Sequence, residues 1–378
     1  MKTNVGGNNM EINEKRLINS LKEMIKINSV SLKEKPMADW LQNYFETRGE
    51  LVYRDDAWKA FGGNCGNLLV HIEGNMEGEA ICFMAHMDTV EPGENIQPKI
   101  EEDKMVSEGS TVLGADDKSG IAAVLEAYEC IRENKIPHRE LYFLFTVCEE
   151  IGMLGVKNFQ CSKLPCKNVV VVDAAGAPGV IAYAAPAMDN IKVTFKGKKA
   201  HGGIEPEKGI NAIYMAAMAI NNMKLGRIDE ETTSNIGRIE GGGPTNIVTD
   251  KVSFTAEVRS HSIEKLKSQV ELMRKVCEDA AKKFNGQVVF ENRRDYPNLK
   301  LDRNTFIFQH CEKSYEKENI KPNPIKIGGG SDGNILAGKG YQCAIISCGM
   351  YDVHTTEESL VLNEIYATAK VIARMMTE

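Results

Sequence analysis

The chain has 378 residues, more than the roughly 250 to 300 at which a single hydrophobic core stops growing, so two domains are expected. Hydrophobic residues make up 42% of the chain and charged residues 26%, which are the proportions of an ordinary folded protein and exclude a disordered chain. The formal net charge of −7, with acids and bases spread along the sequence, argues against nucleic acid or an anionic membrane as a partner.

Membrane and export signals are missing from the sequence pattern. No apolar stretch approaches the roughly 18 residues that a membrane span needs, and the segment from Met1 to Arg16 is polar. The ten cysteines are scattered and include no CxxC pair. We therefore expect reduced thiols in a cytoplasmic protein without a membrane partner.

Four near-continuous apolar runs of strand length stand out along the chain. Such runs are typical of strands buried on both faces of a sheet, and their alternation with longer amphipathic stretches predicts a mixed α/β sheet flanked by helices. A helix is predicted between the first two runs, from Gly114 to Asn134. The four runs are Ala80 to Ala85, Leu141 to Val147, Val169 to Val172 and Cys343 to Cys348.

The middle of the chain has a different pattern. Val252 and Phe254 alternate with Ser253 and Thr255, a period of two that indicates strands with one covered face. The predicted order is strand, helix, two strands, helix, strand, which is the split βαβ arrangement of ferredoxin-like domains. The two predicted helices run from Gly209 to Met223 and, after a cap at Ser262, from Ile263 to Phe284.

We therefore predict a catalytic domain formed by residues 1–187 and 297–378, with an α+β ferredoxin-like domain inserted at residues 188–296. After Pro297 the pattern predicts a helix from Asn304 to Glu318 and a final helix from Glu357. The sequence Thr355-x-x-Glu358 fits a capping box that would start this last helix.

Histidines and acids follow the apolar runs at the points where the predicted strands end. Ligands of open α/β sheets bind beyond the carboxyl ends of the strands, so these side chains should meet at one edge. Each motif taken singly fits a turn or a helix cap equally well; the set as a whole does not. Its members are His86, Asp88, Asp116, Glu149, Glu150, Asp173 and His354.

Several carboxylates at one edge would repel one another unless a cation lay between them. Two imidazoles among carboxylates, with no thiolate, suit zinc, cobalt or manganese. Asp88 lies two residues after His86, so both side chains leave an extended backbone on the same face. Asp88 is therefore expected to orient the imidazole by a hydrogen bond.

Six motifs, in order, resemble those of the dinuclear zinc exopeptidase family that contains peptidase T, carboxypeptidase G, dipeptidases and aminoacylases. The resemblance extends from about residue 12 to 376 and includes the inserted domain, which would act as a lid. The motifs are AHMDTV, LGADDKSG, CEEIG, VVDAAG, KKAHGG and VHTTEE.

The resemblance implies two Zn²⁺ ions per subunit, with Co²⁺ or Mn²⁺ as alternatives, and a cis peptide bond after the aspartate that bridges them. Glu149 takes the position of the general base. One ion would be held by His86, Asp116 and Asp173, and the other by Asp116, Glu150 and His354.

Five further residues match positions that contact substrate in the family. His201 resembles the histidine that stabilises the developing oxyanion, and Arg259 the arginine that binds a substrate carboxylate. Asn246 matches a substrate-contacting asparagine, while Ser331 and Asp332 lie in a Gly-rich loop that would form the rim of the active site. His201, Arg259 and Asn246 also fit exposed polar positions of an ordinary domain.

The details of VVDAAG and GGGSDGN favour the peptidase T branch. We therefore expect release of the N-terminal residue from short peptides, most of all tripeptides, by attack of a hydroxide held between the two ions. A deacylase, a carboxypeptidase or dipeptidase on the same scaffold, and a metal-binding protein without activity remain as alternatives. An exposed edge strand of the inserted domain would allow a homodimer.

Overall fold

A computed structural model describes residues 10–378. Residues of the chain contact one another mainly within two compact units. The first contains the described residues up to Tyr183 together with residues 300–326 and 331–378; the second contains Ala184–Leu299 and Ile327–Gly330. The domain boundaries placed after residues 187 and 296 stay a prediction.

The secondary structure alternates between strands and helices along most of the chain. The helices are α1 (Glu14–Lys26), α2 (Lys35–Glu46), α3 (Ala115–Glu133), α4 (Leu154–Lys157), α5 (Ala212–Asn222), α6 (Ile263–Lys283), α7 (Phe306–Lys317), α8 (Asp332–Gly338) and α9 (Leu362–Thr377). The strands are β1 (Leu51–Arg54), β2 (Leu68–Ile72), β3 (Ile81–His86), β4 (Pro98–Glu101), β5 (Lys104–Ser107), β6 (Leu141–Thr146), β7 (Asn168–Ala174), β8 (Val180–Ala185), β9 (Ala187–Lys196), β10 (Gly226–Arg227), β11 (Thr232–Gly241), β12 (Lys251–Ser260), β13 (Gln287–Tyr296), β14 (Leu299–Lys300), β15 (Asn323–Lys326), β16 (Gln342–Ser347), β17 (Met350–Tyr351) and β18 (Ser359–Val361).

The main sheet has the strand order β1-β2-β6-β3-β7-β16-β8-β14, with β15 beside β8. Its central strands β6, β3, β7 and β16 are parallel. On one side, β2 pairs antiparallel with β6 and β1 antiparallel with β2; on the other side, β8 pairs antiparallel with β16. Every residue of β3 and β6 is buried. The mixed α/β sheet is therefore confirmed, and the apolar runs are its doubly covered central strands.

Helix α3 lies against the centre of this unit and is buried from Ala115 to Ile131. A surface helix would show an apolar stripe, but this one is covered on all sides. Its first turn is irregular, because Asp116 and Asp117 have non-helical backbone angles. This irregular start places Asp116 at the carboxyl edge of the sheet.

The prediction for the last helix is wrong at its start. Helix α9 begins at Leu362, and residues 359–361 form β18, which pairs with β5. The Thr355 hydroxyl donates to the carbonyl oxygen of Asp352 at 2.7 Å and accepts from the Glu357 N–H at 3.2 Å, so it closes a turn. A local pattern that fits a capping box is overridden here by strand pairing with a distant segment.

The second unit contains an antiparallel sheet of order β10-β11-β12-β9-β13. Helices α5 and α6 pack on it through a core that includes Phe195, Phe254 and Met273. The predicted order of elements is confirmed except for one additional strand, the two-residue β10, between α5 and β11. The Ser262 cap is also confirmed, since the Ser262 hydroxyl accepts from the Lys265 N–H at 3.3 Å. Strand β13 is an edge of this sheet; a homodimer through it stays a prediction.

Within residues 10–378, no helix is both long and apolar enough to cross a membrane. All ten cysteines are free thiols, and nine of them are buried. They therefore contribute to packing as small apolar side chains.

We predict that Phe143→Ala destabilises the first unit by about 3–5 kcal/mol, because a fully buried aromatic ring would be replaced by a cavity. The Phe143 ring lies 5.7 Å from that of Phe45 and 5.9 Å from that of Tyr128. Both tryptophans, Trp40 and Trp58, belong to the first unit, so tryptophan fluorescence during urea unfolding reports on it.

Leu51→Ala is the control, since Leu51 is 72% exposed. It should change the free energy of unfolding by less than about 0.5 kcal/mol. Equal effects of the two substitutions would contradict the packing described for this core.

Candidate metal centre

The carboxyl edge of the main sheet collects histidines and acids from several separate segments. His86 is the last residue of β3, Asp173 lies near the end of β7, and Glu149 and Glu150 follow β6. Asp116 comes from the start of α3. The sixth residue, His354, lies in the loop between β17 and β18 with a positive φ of 65°.

Asp116 is the centre of this cluster. Its Oδ1 lies 3.0 Å from His86 Nε2, and its Oδ2 lies 3.1 Å from His354 Nε2. His86 Nε2 is also 3.8 Å from Asp173 Oδ1, and His354 Nε2 is 3.0 Å from Glu150 Oε1. The two oxygens of one carboxylate therefore face two different imidazoles.

Three groups within residues 10–378 have the composition and spacing to hold a metal ion, with the ligand atoms of each group within 4.8 Å of one another. Two of them share Asp116, and two share His86. The groups are His86–Asp116–Asp173, His86–Glu149–Glu150 and Asp116–Glu150–His354. The first and third have the same membership as the two ligand sets implied by the family resemblance.

The electrostatics of the cluster favour a cation. Burial, and then repulsion from Asp116, raises the pKa of Asp173 well above its usual range. Burial, and then repulsion from Asp173, does the same to the pKa of Glu149. Hydrogen bonds that the His354 ring donates to the carboxylates of Asp116 and Glu150 raise the pKa of His354 to about 10. The nitrogen and oxygen donors, held near one another and rich in negative charge, fit a divalent transition metal.

Asp88 supports the site in a way that the sequence predicts only in part. His86 Nδ1 donates to the main-chain oxygen of Asp88 at 2.9 Å, a shorter contact than the 3.5 Å to the carboxylate. This bond places the proton on Nδ1 and leaves Nε2 free for a ligand. The Asp88 carboxylate accepts from the main-chain N–H groups of Glu149 and Glu150 at 3.0 and 3.2 Å.

The peptide bond between Asp116 and Asp117 is cis, as predicted. Asp117 is fully buried, and its Oδ2 accepts from the main-chain N–H of His86 at 3.2 Å. Its carboxylate thus contacts the end of β3.

Three of the residues expected to bind substrate lie in the second unit. His201 is exposed, and its Nδ1 accepts from the N–H groups of Gly203 and Ile204, both at 3.2 Å. The main-chain oxygen of Asn246 accepts from the Gly202 N–H at 2.7 Å, which places Asn246 beside the His201 loop. The partly buried guanidinium of Arg259 is held by both carboxylate oxygens of Glu257, at 2.8 and 3.0 Å.

The other two expected substrate-binding residues lie in the first unit with buried side chains. The Ser331 hydroxyl caps α8 by accepting from the Gly333 N–H at 3.2 Å. Asp332 accepts a hydrogen bond from the hydroxyl of Thr146, the last residue of β6, and burial raises its pKa to about 7. These structural contacts were not anticipated from the sequence.

Two buried acids near the cluster were missed. Glu34 Oε1 accepts from the Cys148 N–H at 3.0 Å, next to Glu149. Glu358 accepts from the N–H groups of Gly114 and Asp116 at 2.7 and 2.9 Å. Both contacts join segments far apart in the chain, so neither the sequence around Glu34 nor the VHTTEE motif that contains Glu358 indicates them.

A mixed α/β sheet whose carboxyl edge carries two imidazole–carboxylate groups joined by one aspartate has the features of a metal-dependent hydrolase. The family model described as peptidase family M20/M25/M40 matches residues 82–378. The chain belongs to this family.

Solved structures and curated relatives agree with this membership. An aminopeptidase PepT from Bacillus cereus ATCC 10987 is 38% identical, with a TM-score of 0.90 over 97% of this chain and 98% of that one. A tripeptidase from Staphylococcus aureus subsp. aureus Mu50 is 35% identical, with a TM-score of 0.94 over the same shares. The uncharacterized protein YqjE of Bacillus subtilis (strain 168) is 38% identical over 368 residues, which are 97% of this chain and 99% of that protein.

If Asp116 is shared by two ions, substitutions in the cluster should differ in the number of ions lost. We predict that Asp116→Ala removes both ions, since it belongs to both groups, whereas His354→Ala removes only the one that the third group holds. The measurement is the metal content per chain after dialysis against Zn²⁺ and gel filtration.

His71→Ala is the matched control. His71 pairs with Glu140 at 2.9 Å and belongs to none of the three groups, so this variant should keep both ions. Equal metal content in Asp116→Ala and the unmodified protein would contradict the bridging arrangement.

Proposed function

We propose that this member of the family is an aminopeptidase that releases the N-terminal residue from short peptides, with tripeptides as its preferred substrates. The observation that carries the proposal is the position of Asp116, whose two carboxylate oxygens each face a different imidazole. The similarity to an aminopeptidase from Bacillus cereus and a tripeptidase from Staphylococcus aureus supports the choice of substrate.

Two Zn²⁺ ions are the proposed cofactors, with Co²⁺ or Mn²⁺ as substitutes. The chemistry of the donors supports this choice, since they are imidazole nitrogens and carboxylate oxygens without a thiolate. When bound, such a pair of ions polarises the scissile carbonyl and lowers the pKa of water toward neutrality. The proposed ligands are His86, Asp116 and Asp173 for one ion and Asp116, Glu150 and His354 for the other.

Glu149 is the proposed general base. Its carboxylate is buried beside Asp173, and its main-chain N–H is fixed by Asp88 at 3.0 Å. Burial among acids favours a carboxyl group that can hold a proton near neutral pH. In the reaction, Glu149 takes a proton from the attacking water and returns it to the leaving amine.

His201 is proposed to donate a hydrogen bond to the substrate carbonyl oxygen as negative charge develops on it. Its Nδ1 accepts two main-chain N–H groups, so the neutral imidazole carries its proton on Nε2. Nε2 is therefore a donor. Asn246, which lies beside the same loop, is proposed to contact the substrate together with it.

Arg259 is proposed to bind the terminal carboxylate of a tripeptide. Glu257 holds one edge of the guanidinium with two hydrogen bonds, which fixes the orientation of the remaining N–H groups. A planar guanidinium held in this way suits a carboxylate better than a flexible ammonium group would. Ser331 and Asp332, at the start of α8 directly after the Gly-rich loop, remain proposed residues of the rim.

The test of the proposed activity is a substrate panel for the Zn²⁺-loaded protein. We expect faster release of alanine from Ala-Ala-Ala than from Ala-Ala or from a longer alanine peptide, and no release from N-acetylalanine. Amino-acid analysis by chromatography gives the rates. Faster hydrolysis of N-acetylalanine would identify a deacylase, and release of phenylalanine before alanine from Ala-Ala-Phe would identify a carboxypeptidase.

The role of Arg259 is tested with a substrate that lacks the terminal charge. Arg259→Met should raise KM for Ala-Ala-Ala at least tenfold and leave KM for Ala-Ala-Ala-amide nearly unchanged, because only the free tripeptide carries the carboxylate. The control is Arg293→Met, since the side chain of Arg293 is 78% exposed. Equal changes in KM for both substrates would argue against the proposed contact.

Glu149→Gln tests the proposed base. We expect kcat for Ala-Ala-Ala to fall by about 10²–10⁴-fold, because an amide cannot accept the proton, while the metal content per chain stays the same. Glu140→Gln serves as the control, since Glu140 lies outside the cluster and pairs with His71. Full turnover in Glu149→Gln would show that another group acts as the base.

A further inference from the structure

We propose that Glu358 is a positioning residue that fixes the main chain on which Asp116 is carried and ties it to the loop of His354. The inference rests on the proposed function, because it concerns the shared aspartate of that site. It assigns Glu358 no contact with substrate.

The contacts of Glu358 define this role. Its Oε2 accepts from the main-chain N–H of Gly114 at 2.7 Å, and its Oε1 accepts from the main-chain N–H of Asp116 at 2.9 Å. Glu358 itself is only 2% exposed. One carboxylate therefore holds two N–H groups of the same loop, one with each of its oxygens.

The loop needs an external acceptor at this point. The first N–H groups of a helix have no partner within the helix, and Gly114 and Asp116 lie at the irregular start of α3. Asp116 has φ −79° and ψ 105°, outside the helical region. Without Glu358, two N–H groups in the part of the chain that carries the shared aspartate would lose these acceptors.

The same residue belongs to the segment that supplies the second imidazole. Glu358 follows His354 by four residues, and the His354 side chain is 51% exposed with a backbone φ of 65°. A half-exposed side chain on an irregular loop, such as His354, keeps a defined position only if a neighbouring residue of that loop is held in place. Since Glu358 is buried and bonded to the Asp116 loop, it joins the two segments whose side chains meet at Asp116 Oδ2 and His354 Nε2.

The carboxylate is the group that this geometry requires. Glutamine has nearly the same shape but only one acceptor oxygen, so its NH₂ group would face an N–H donor. Alanine would offer neither acceptor. Glu358→Gln and Glu358→Ala therefore form a graded series, and the neighbouring Glu357, which is exposed, provides the control Glu357→Gln.

The first measurement uses the protein stripped of metal with a chelator. Hydrogen–deuterium exchange of the main-chain N–H groups in residues 113–117 should be at least tenfold faster in Glu358→Ala than in the unmodified protein. Glu358→Gln should lie between the two, and Glu357→Gln should not change the rate. This measurement depends on neither metal nor activity.

The second measurement is titration with Co²⁺, followed by its visible absorption spectrum. Glu358→Ala should bind one of the two ions at least tenfold more weakly and show an altered spectrum, because the shared carboxylate is no longer held in place. With Ala-Ala-Ala, kcat should fall at least a hundredfold while KM changes less than threefold. Glu357→Gln should match the unmodified protein in both assays.

Unchanged exchange in residues 113–117 of Glu358→Ala would overturn the proposal. A lower melting temperature with unchanged Co²⁺ binding and unchanged kcat would also overturn it, since that result describes a purely structural residue. If Glu358→Ala does not fold, Glu358→Gln decides by the same exchange and Co²⁺ criteria. If the unmodified protein hydrolyses no peptide but the exchange and Co²⁺ results are as expected, the proposed function fails and the positioning role stands.

Discussion

The arrangement of the first unit depends on one electrostatic constraint, the sharing of the Asp116 carboxylate between two imidazoles. His86 and His354 approach its two oxygens at 3.0 and 3.1 Å. Around them, Glu149, Glu150 and Asp173 crowd more carboxylates into a buried space than isolated charges would tolerate. The parallel strands and the irregular start of α3 deliver these groups to one edge.

A second layer of acids holds the main chain under the cluster. Asp88 accepts from the N–H groups of Glu149 and Glu150, and Glu358 accepts from those of Gly114 and Asp116. These carboxylates therefore hold main-chain N–H groups by hydrogen bonds. The position of the main chain in turn determines where the neighbouring side chains point. Fixing a site through its main chain limits the movement of side chains that must remain at a defined distance from one another.

The sequence was sufficient to predict the parts of the fold that depend on local patterns. The central strands appear as apolar runs, and His86, Glu149 and Asp173 are found where those runs end. The order of elements in the second unit follows from a change in hydrophobic period. The cis bond after Asp116 came from the family resemblance alone.

The parts that could not be predicted depend on contacts between distant segments. Thr355-x-x-Glu358 fits a capping box locally, but pairing of β18 with β5 delays the helix to Leu362 and directs Glu358 toward the Asp116 loop. Glu34, which holds the Cys148 N–H, likewise gives no local signal. The burial of Ser331 and Asp332 gives no local signal either, since Asp332 is bonded to Thr146, 186 residues earlier in the chain.

The contact between Glu358 and Asp116 also has a consequence for synthesis of the chain, because it joins residues 242 positions apart. At about 5–20 residues per second, a ribosome needs on the order of 12 to 50 seconds to add the intervening segment. Throughout that interval the Asp116 segment of the nascent chain lacks both the Glu358 carboxylate that accepts its N–H groups and the imidazole of His354. Assembly of the complete cluster is thus a late event in translation, because His354 and Glu358 are added only near the end of the chain.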